Sequence, residues 1–210
     1  MDVTELWRMK CEKCITKQSD MIIYTIGHSN HSIDTFIALL KRYNITAVAD
    51  VRSVPYSRFN SQFNRENLIR FLENIMIAYV FLGAELGGRP NNSQCYKNGQ
   101  ADYVCMAKQI NFKHGLNRII NGGKKYNIAL MCSEKEPLDC HRSILICHAL
   151  KTYGITIKHI LSDGSFEYHV DTEKRLLKIT ESKDMEMAYI KRSKDIAYIL
   201  KGVNYERCKG

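Results

Sequence analysis

Side chains suited to acid–base and nucleophilic chemistry are concentrated in a few short segments of this sequence. His28 follows an apolar run and Cys132 ends another. Cys140 and His141 lie side by side a short distance after Cys132. A thiol near a helix start and near cations ionises more readily, and histidine titrates near neutral pH. We therefore predict that His28, Cys132 and His141 carry the proton-transfer or covalent chemistry of an active site.

Arginine residues accompany these groups. Arg142 is predicted near the start of a helix, where free N–H groups favour an anion, and its guanidinium can bind a carboxylate or phosphate through two hydrogen bonds. Arg52 and Arg89 would join it from other loops. In the alternative interpretation, salt bridges to Asp50 or Glu85 only tie these loops together. The residues predicted to bind an anionic substrate are Gly27, Ser29, Asp50, Arg52, Arg58, Glu85, Gly88, Arg89, Cys140 and Arg142.

A metal site is a further alternative for the same segments. Cys132, Cys140 and His141 would form a tetrahedral ligand set with His28, but the gap between the two cysteines matches none of the usual paired spacings. The sequence has no GxxxxGK phosphate loop and no complete dinucleotide fingerprint. We therefore predict no metal and no cofactor.

Alternating strand and helix patterns must position these residues. Apolar runs predict five strands, at 21–26, 45–49, 77–82, 128–131 and 155–160. Helical periodicity predicts intervening helices at 32–43, 64–76, 102–120 and 140–153. Strands that alternate with helices predict an α/β fold of three layers, with a mostly parallel sheet of about five strands and helices on both faces. We expect the strand order 3-2-1-4-5.

Polar residues follow the carboxyl ends of these predicted strands. The segments concerned are 27–31, 50–60, 83–89 and 132–143. The opposite strand ends carry short, plain connections such as 42–44. Because ligands of open α/β sheets bind outside the carboxyl ends of the strands, we expect a single pocket at this edge.

Length and composition limit the organisation of the chain. Its 210 residues, 45% of them hydrophobic, suffice for one core. We predict an N-terminal extension at 1–20, an α/β core at 21–165, and a C-terminal helical tail at 166–210 that packs on the core. The tail contains helical patterns at 173–180 and 185–200.

The compartment of the protein and the redox state of its cysteines are predicted from the lack of membrane-span and signal-peptide patterns in the sequence. No apolar run reaches the length of a membrane span or of a signal peptide, so we expect a cytoplasmic protein without membrane association. In that compartment the eight cysteines are expected to be free thiols. Cys11 and Cys14 form half of a zinc-ribbon pattern and lack a second pair, so we interpret them as incidental.

The net charge is +9, from 31 basic and 22 acidic residues. This balance favours an anionic ligand, a nucleotide or nucleic acid among the possibilities. The basic segment 191–194 is either a nucleic-acid contact or an ordinary exposed helix face.

Five motifs in order make the sequence resemble a known family. They are Tyr-Thr-Ile-Gly-His-Ser at 24–29, Asp-Val-Arg-Ser-Val-Pro at 50–55, Ser-Arg-Phe-Asn at 57–60 with Gln-Phe-Asn at 62–64, Glu-Leu-Gly-Gly-Arg at 85–89, and Met-Cys-Ser-Glu-Lys at 131–135 leading to Cys-His-Arg-Ser at 140–143. With them the chain resembles the domain of unknown function 488 family over residues 21 to about 160. The resemblance implies a Rossmann-like fold and a shared pocket built from these motifs, and it implies no reaction.

Three functions remain as hypotheses. The first is an enzyme that acts on a nucleotide-like or nucleic-acid-derived anionic substrate. The second is a non-catalytic nucleic-acid-binding module, whose affinity should fall steeply as salt rises because bound phosphates release counterions. The third is an anion-sensing domain that binds a ligand without changing any bond.

Overall fold

A six-stranded sheet forms the centre of the protein, whose computed structural model describes residues 21–200. Its strands lie in the order β3-β2-β6-β1-β7-β8, all parallel except β8, which pairs antiparallel with β7. A separate hairpin pairs β4 with β5. The strands are β1 (Ile22–Gly27), β2 (Ala47–Asp50), β3 (Ala78–Phe81), β4 (Tyr96–Lys97), β5 (Gln100–Ala101), β6 (Ile128–Cys132), β7 (Thr156–Ile160) and β8 (Phe166–Tyr168).

The predicted α/β class with a mostly parallel sheet is confirmed, and the predicted strand order is wrong at one place. The fourth predicted strand, β6, lies between β1 and β2, where Ala129 pairs with Tyr24 and with Val48. Every residue of β6 is buried and apolar. A strand without a polar face fits only at the centre of a sheet that is covered on both sides.

Helices cover both faces of the sheet. They are α1 (Ile33–Arg42), α2 (Arg65–Glu73), α3 (Gly83–Leu86), α4 (Tyr103–Lys108), α5 (Ile110–Gly123), a π-helix (Arg142–Cys147) continued by α6 (His148–Lys151), α7 (His169–Thr180) and α8 (Met185–Ile196). The helix predicted at 102–120 is two helices, because the backbone at Gln109 is extended. Asp102 caps the first of them through the N–H groups of Val104 and Cys105.

The alternation of side chains along β6 assigns its residues to the two faces. Ala129 and Met131 join a core cluster with α1 and α2, whereas Leu130 and Cys132 join the cluster beneath α5 and the π-helix. Successive strand residues point to opposite faces, which explains this division. Cys132 therefore points toward the face of the sheet that α5 and the π-helix cover.

The expectation that all cysteines are free is wrong for one pair. Cys95 and Cys105 form a disulfide with a Cα–Cα distance of 5.3 Å. The β4–β5 hairpin turns the chain back, and the N–H of Asp102 donates to the Cys95 carbonyl, so that α4 begins beside Cys95. Among the described residues, the free cysteines are Cys132, Cys140 and Cys147, all buried. The extension at 1–20 with Cys11 and Cys14 lies outside the described residues, as does Cys208.

The segment after β7 is part of the packed structure. Its buried residues Leu176, Ala188 and Tyr189 belong to the cluster beneath α5. After α8, the chain runs beside β5, where the N–H of Ala101 donates to the Tyr198 carbonyl. None of the helices in residues 21–200 has the length and apolarity needed to cross a membrane.

A buried chain of hydrogen bonds joins the sheet to α7 and α8. Tyr189 donates to Glu173, so its oxygen accepts from His169 Nε2 at 2.9 Å. His169 Nδ1 then accepts from His159 Nε2 at 2.9 Å, and His159 Nδ1 accepts from the Thr25 hydroxyl at 2.8 Å. Each residue can donate to the next one along this series only when both histidines are neutral. Burial accordingly lowers the pKa of His169 to about 4 and that of His159 well below its ordinary value.

This chain of hydrogen bonds predicts that the folded protein is less stable in mild acid. In the unfolded protein His169 titrates near its ordinary pKa of 6.5, so below that pH the unfolded state binds more protons than the folded state. The contribution of neutral His169 to the free energy of unfolding is fully present above about pH 6.5 and is lost as the pH falls toward 4. We expect His169 alone to make the protein about 2 kcal/mol less stable at pH 5 than at pH 7.

Urea unfolding at both pH values measures this effect. His169→Gln should reduce the stability difference between the two pH values, whereas His114→Gln, at an exposed position on α5, should retain it. An unchanged difference in His169→Gln would contradict the assignment of a neutral, buried histidine.

Candidate functional site

A cavity of about 190 Å³ opens at the carboxyl edge of the sheet, between the loops that follow β2 and β6. Six of the residues that line it are Arg52, Gly88, Arg89, Cys132, Glu134 and His141. Of the thirteen lining residues, these six without Glu134 are the five that were predicted for the site. The cavity lies outside the ends of parallel strands, at the edge where ligands of open α/β sheets bind.

Two thiols meet beside this cavity. Cys132 ends β6, and the chain returns through a 3₁₀ turn at Pro137–Asp139, whose Leu138 N–H is capped by the Glu136 carboxylate. Cys140 follows this turn and comes close to Cys132. Both thiols donate to the same oxygen of Glu134, Oε2, at 3.0 Å from Cys132 Sγ and 3.2 Å from Cys140 Sγ.

His141 completes this cluster. Its Nε2 lies 3.0 Å from the Val51 carbonyl and therefore carries the proton. The free Nδ1 faces the two sulfur atoms, at 3.7 Å from Cys132 Sγ and 3.9 Å from Cys140 Sγ. Burial lowers the pKa of His141, but the neighbouring Cys140 and Glu134 outweigh burial and raise it. The ring also fits closely against Gly88, where an added Cβ would lie 3.0 Å from His141 Cγ.

The two thiols differ in acidity. Burial raises the pKa of Cys132 well above its ordinary value, and the adjacent Cys140 adds to the effect. Burial also opposes ionisation of Cys140, but hydrogen bonding with Cys132 and the charge of Arg142 hold its pKa well below the ordinary value. Burial, and then the negative charge of Cys140, raise the pKa of Glu134.

Arg142 supports this cluster from behind. Its side chain is 0% exposed, and its guanidinium donates to the carbonyls of Glu134 at 2.6 Å and Lys135 at 3.2 Å and to the Thr25 hydroxyl at 3.4 Å. The structure thus places the guanidinium behind the loop and outside the set of residues that line the cavity. Gly27 lies against the same loop, since an added Cβ there would be 1.9 Å from the backbone carbonyl oxygen of Glu134.

Arg52 is both held by a salt bridge and placed at the cavity. Asp50 accepts from its Nε at 2.9 Å and from its Nη2 at 2.7 Å, and the Phe63 carbonyl accepts a further bond from Nη2. Nη1 donates to His28 Nε2 at 3.3 Å, which leaves one of its N–H groups for a ligand. The salt bridge that the sequence analysis gave as one alternative for Arg52 is therefore present, and one N–H of the same side chain has no protein partner within residues 21–200.

The His28 ring has no free nitrogen. Nε2 accepts from Arg52, and Nδ1 donates to the Ser29 carbonyl at 2.8 Å. The ring stacks on Phe63 with 4.3 Å between centroids. Burial and the charge of Arg52 lower the His28 pKa to about 4, so the ring is neutral at pH 7. Among the three predicted catalytic residues, Cys132 and His141 line the cavity, and His28 lies behind Arg52.

The remaining predicted residues lie farther out. Arg89 is exposed at the cavity, with its guanidinium 4.4 Å from the centroid of the Tyr198 ring. Glu85 pairs with Arg118 on α5. Arg58 is exposed and is not among the described residues that line the cavity. Ser29 contributes its backbone N–H, which donates to the Ser133 carbonyl at 2.9 Å.

Sequence reasoning missed eight lining residues, among them Glu134, Ile196 and Tyr198. Glu134 stands inside a motif that was noted, and its position between Cys132 and Cys140 could have identified it. Ile196 and Tyr198 come from the far end of the chain, and only the pairing of that segment with β5 brings them over the cavity. The sequence contains no signal for that contact.

The match to a known family is specific. Residues 32–148 match the family described as Domain of unknown function DUF488. The chain belongs to this family. The match includes the segments that carry Arg52, Arg89, Cys132 and His141, and it confirms the resemblance found in the motifs. No curated protein and no solved structure matches the chain.

The Asp50–Arg52 pair predicts a large effect on stability. Asp50→Asn leaves a buried guanidinium without its counter-charge, so we expect a loss of about 3 kcal/mol in the free energy of unfolding. The matched control is Glu85→Gln, which removes the more exposed pair with Arg118 and should change it by less than about 1 kcal/mol. Urea unfolding compares the two variants. Equal losses in the free energy of unfolding would contradict the larger contribution that is predicted for the buried Asp50–Arg52 pair.

Proposed function

We propose that this protein is an enzyme that acts on a small anionic substrate, or on the anionic end of a nucleotide-like molecule. The observation that carries the proposal is the shared cavity of Arg52, Arg89 and the cluster of Cys132, Glu134 and His141. Groups that can bind a negative charge thus lie beside groups that can form a bond or move a proton.

The size of the cavity supports a small substrate. A volume of about 190 Å³ lies below the range of about 300 to 1,000 Å³ in which drug-sized ligands bind. A phosphate, sulfate or carboxylate group fits inside, and a larger molecule must extend past the rim. At the rim, Arg89 and Tyr198 offer a cation and an aromatic ring to that outer part.

Each residue has a definite role in this proposal. The free N–H of Arg52 and the guanidinium of Arg89 bind the anion, and Cys132 and His141 face the reacting group. His28 is a positioning residue, because both of its nitrogens are occupied and one of them accepts from Arg52. Arg142 positions the loop of Glu134 from behind.

Anion binding can be measured by thermal shift with phosphate, sulfate and nucleotides. A ligand at about 100 times its dissociation constant should stabilise the protein by about 2.7 kcal/mol. Arg89→Ala should lose most of this shift. Arg58→Ala is the matched control, since it removes an exposed arginine outside the cavity lining and should retain the shift. Equal loss in both variants would place the anion outside the cavity.

Turnover of the nucleotides among these ligands is expected to depend on Cys132. Cys132→Ser should lower the rate by about 100-fold or more, because it removes the thiol that lines the cavity beside His141. The matched control is Cys147→Ser, at another buried free thiol outside the cavity lining. Product formation followed by chromatography compares the variants. Wild-type rates in Cys132→Ser would remove this residue from the chemistry.

Single-stranded nucleic-acid binding is a second candidate function, supported by the loop after β2. Phe59 is 95% exposed there beside the exposed Arg58, a pairing that suits stacking on bases and contact with phosphates. Fluorescence anisotropy with a short oligonucleotide at two salt concentrations tests it. Binding should weaken as salt rises and should decrease in Phe59→Ala. Affinity that is independent of both would exclude this loop as the binding surface.

A further inference from the structure

The cluster beside the cavity has the composition of a metal site. The donor atoms of Cys132, Cys140 and His141 all lie within 4.8 Å of one another. Glu134 Oε2 touches both sulfur atoms but stands outside this mutually close set, so it becomes a fourth donor only when its side chain turns toward His141. We propose that these four side chains bind one zinc ion. Two thiolates and an imidazole favour zinc over magnesium or calcium, which prefer oxygen ligands.

The distances from the two sulfurs to the imidazole nitrogen are close to those of tetrahedral coordination. Bond lengths of about 2.3 Å to sulfur and about 2.0 to 2.1 Å to nitrogen or oxygen require about 3.5 to 3.8 Å between a sulfur and any other ligand atom. The two sulfur-to-Nδ1 distances are 3.7 and 3.9 Å. The two sulfur-to-Oε2 distances, 3.0 and 3.2 Å, are shorter and need a small outward shift of the Glu134 side chain.

The surroundings orient the imidazole as a metal ligand. Its Nε2 proton is held by the Val51 carbonyl, so the lone pair of Nδ1 faces the two sulfurs. A hydrogen bond from the other ring nitrogen to a carbonyl is the usual support of a metal-bound histidine. The backbone N–H of Arg142 also donates to Cys140 Sγ at 3.4 Å.

The charge of Arg142 is compatible with a zinc-bound cluster, as it is with a single ionised group in the metal-free cluster. This arginine is fully buried, and within residues 21–200 no carboxylate forms a salt bridge with it. A buried cation requires a nearby negative charge. Two thiolates, one carboxylate and a zinc dication sum to one negative charge, which Arg142 balances.

This ligand set differs from the one that the sequence suggested. There, His28 was the fourth candidate ligand, but its two nitrogens are bonded to Arg52 and to the Ser29 carbonyl. Glu134 takes its place. As the exposed member of the four, Glu134 is the ligand that an anion in the cavity can replace, a point that rests on the proposed function.

Cobalt binding tests the site in the full chain under a thiol-free reductant. Chelator-treated protein is titrated with Co²⁺, and thiolate-to-cobalt charge-transfer absorption is recorded, with Zn²⁺ competition as a second readout. We expect one equivalent of Co²⁺ per chain, displaced by Zn²⁺. Cys140→Ser should lose a large part of the absorption, and His141→Gln should weaken Co²⁺ binding. The double variant Cys11→Ser/Cys14→Ser is the matched control and should retain it.

Two outcomes would overturn the metal site. One is the absence of charge-transfer absorption in the wild type. The other is absorption that Cys140→Ser retains and the Cys11/Cys14 double variant loses. If Cys140→Ser fails to fold by circular dichroism, Glu134→Gln replaces it and should weaken Co²⁺ binding while the absorption from sulfur persists; unchanged Co²⁺ affinity in Glu134→Gln would remove Glu134 from the ligand set.

Phosphate separates this proposal from the proposed function. If an anion replaces Glu134, inorganic phosphate should change the cobalt visible spectrum of the wild type and leave that of Arg89→Ala unchanged. A normal charge-transfer absorption without any response to phosphate would retain the metal site and count against the anionic substrate.

Discussion

The buried charge of Arg142 is the constraint around which the functional edge is arranged. A guanidinium at 0% exposure needs all of its donors satisfied, and the carbonyls of Glu134 and Lys135 supply two of the partners. To reach the guanidinium, these carbonyls must turn inward, which draws the loop after β6 across Gly27. The Glu134 carboxylate is then directed toward the two thiols.

The same constraint extends into the body of the protein. Arg142 Nε donates to Thr25, whose hydroxyl begins the hydrogen-bonded chain through His159, His169 and Tyr189. The loop that carries the cluster and the helices α7 and α8 are thus linked by one set of polar contacts through the sheet. Such networks stabilise a fold only when every member is satisfied, and here a single proton arrangement satisfies them all.

Two layers of residues can be distinguished at the cavity. Cys132, Glu134, His141 and Arg89 face it, whereas His28, Asp50 and Arg142 hold the first layer in place. The two layers were not separated in the sequence analysis, because both contain histidine, arginine and acidic side chains. The difference between a histidine that faces a ligand and one that supports an arginine depends on which of its nitrogens is bonded.

The sequence by itself determined the α/β class, four of the loops at the carboxyl edge and five of the thirteen residues that line the cavity. It could do so because these properties depend on local periodicity and on the rule that parallel strands end together. The central place of β6, the Cys95–Cys105 disulfide, the contribution of Tyr198 and the inward turn of Glu134 were decided only by the tertiary structure. Each of these depends on a contact between segments whose local patterns contain no information about their partner.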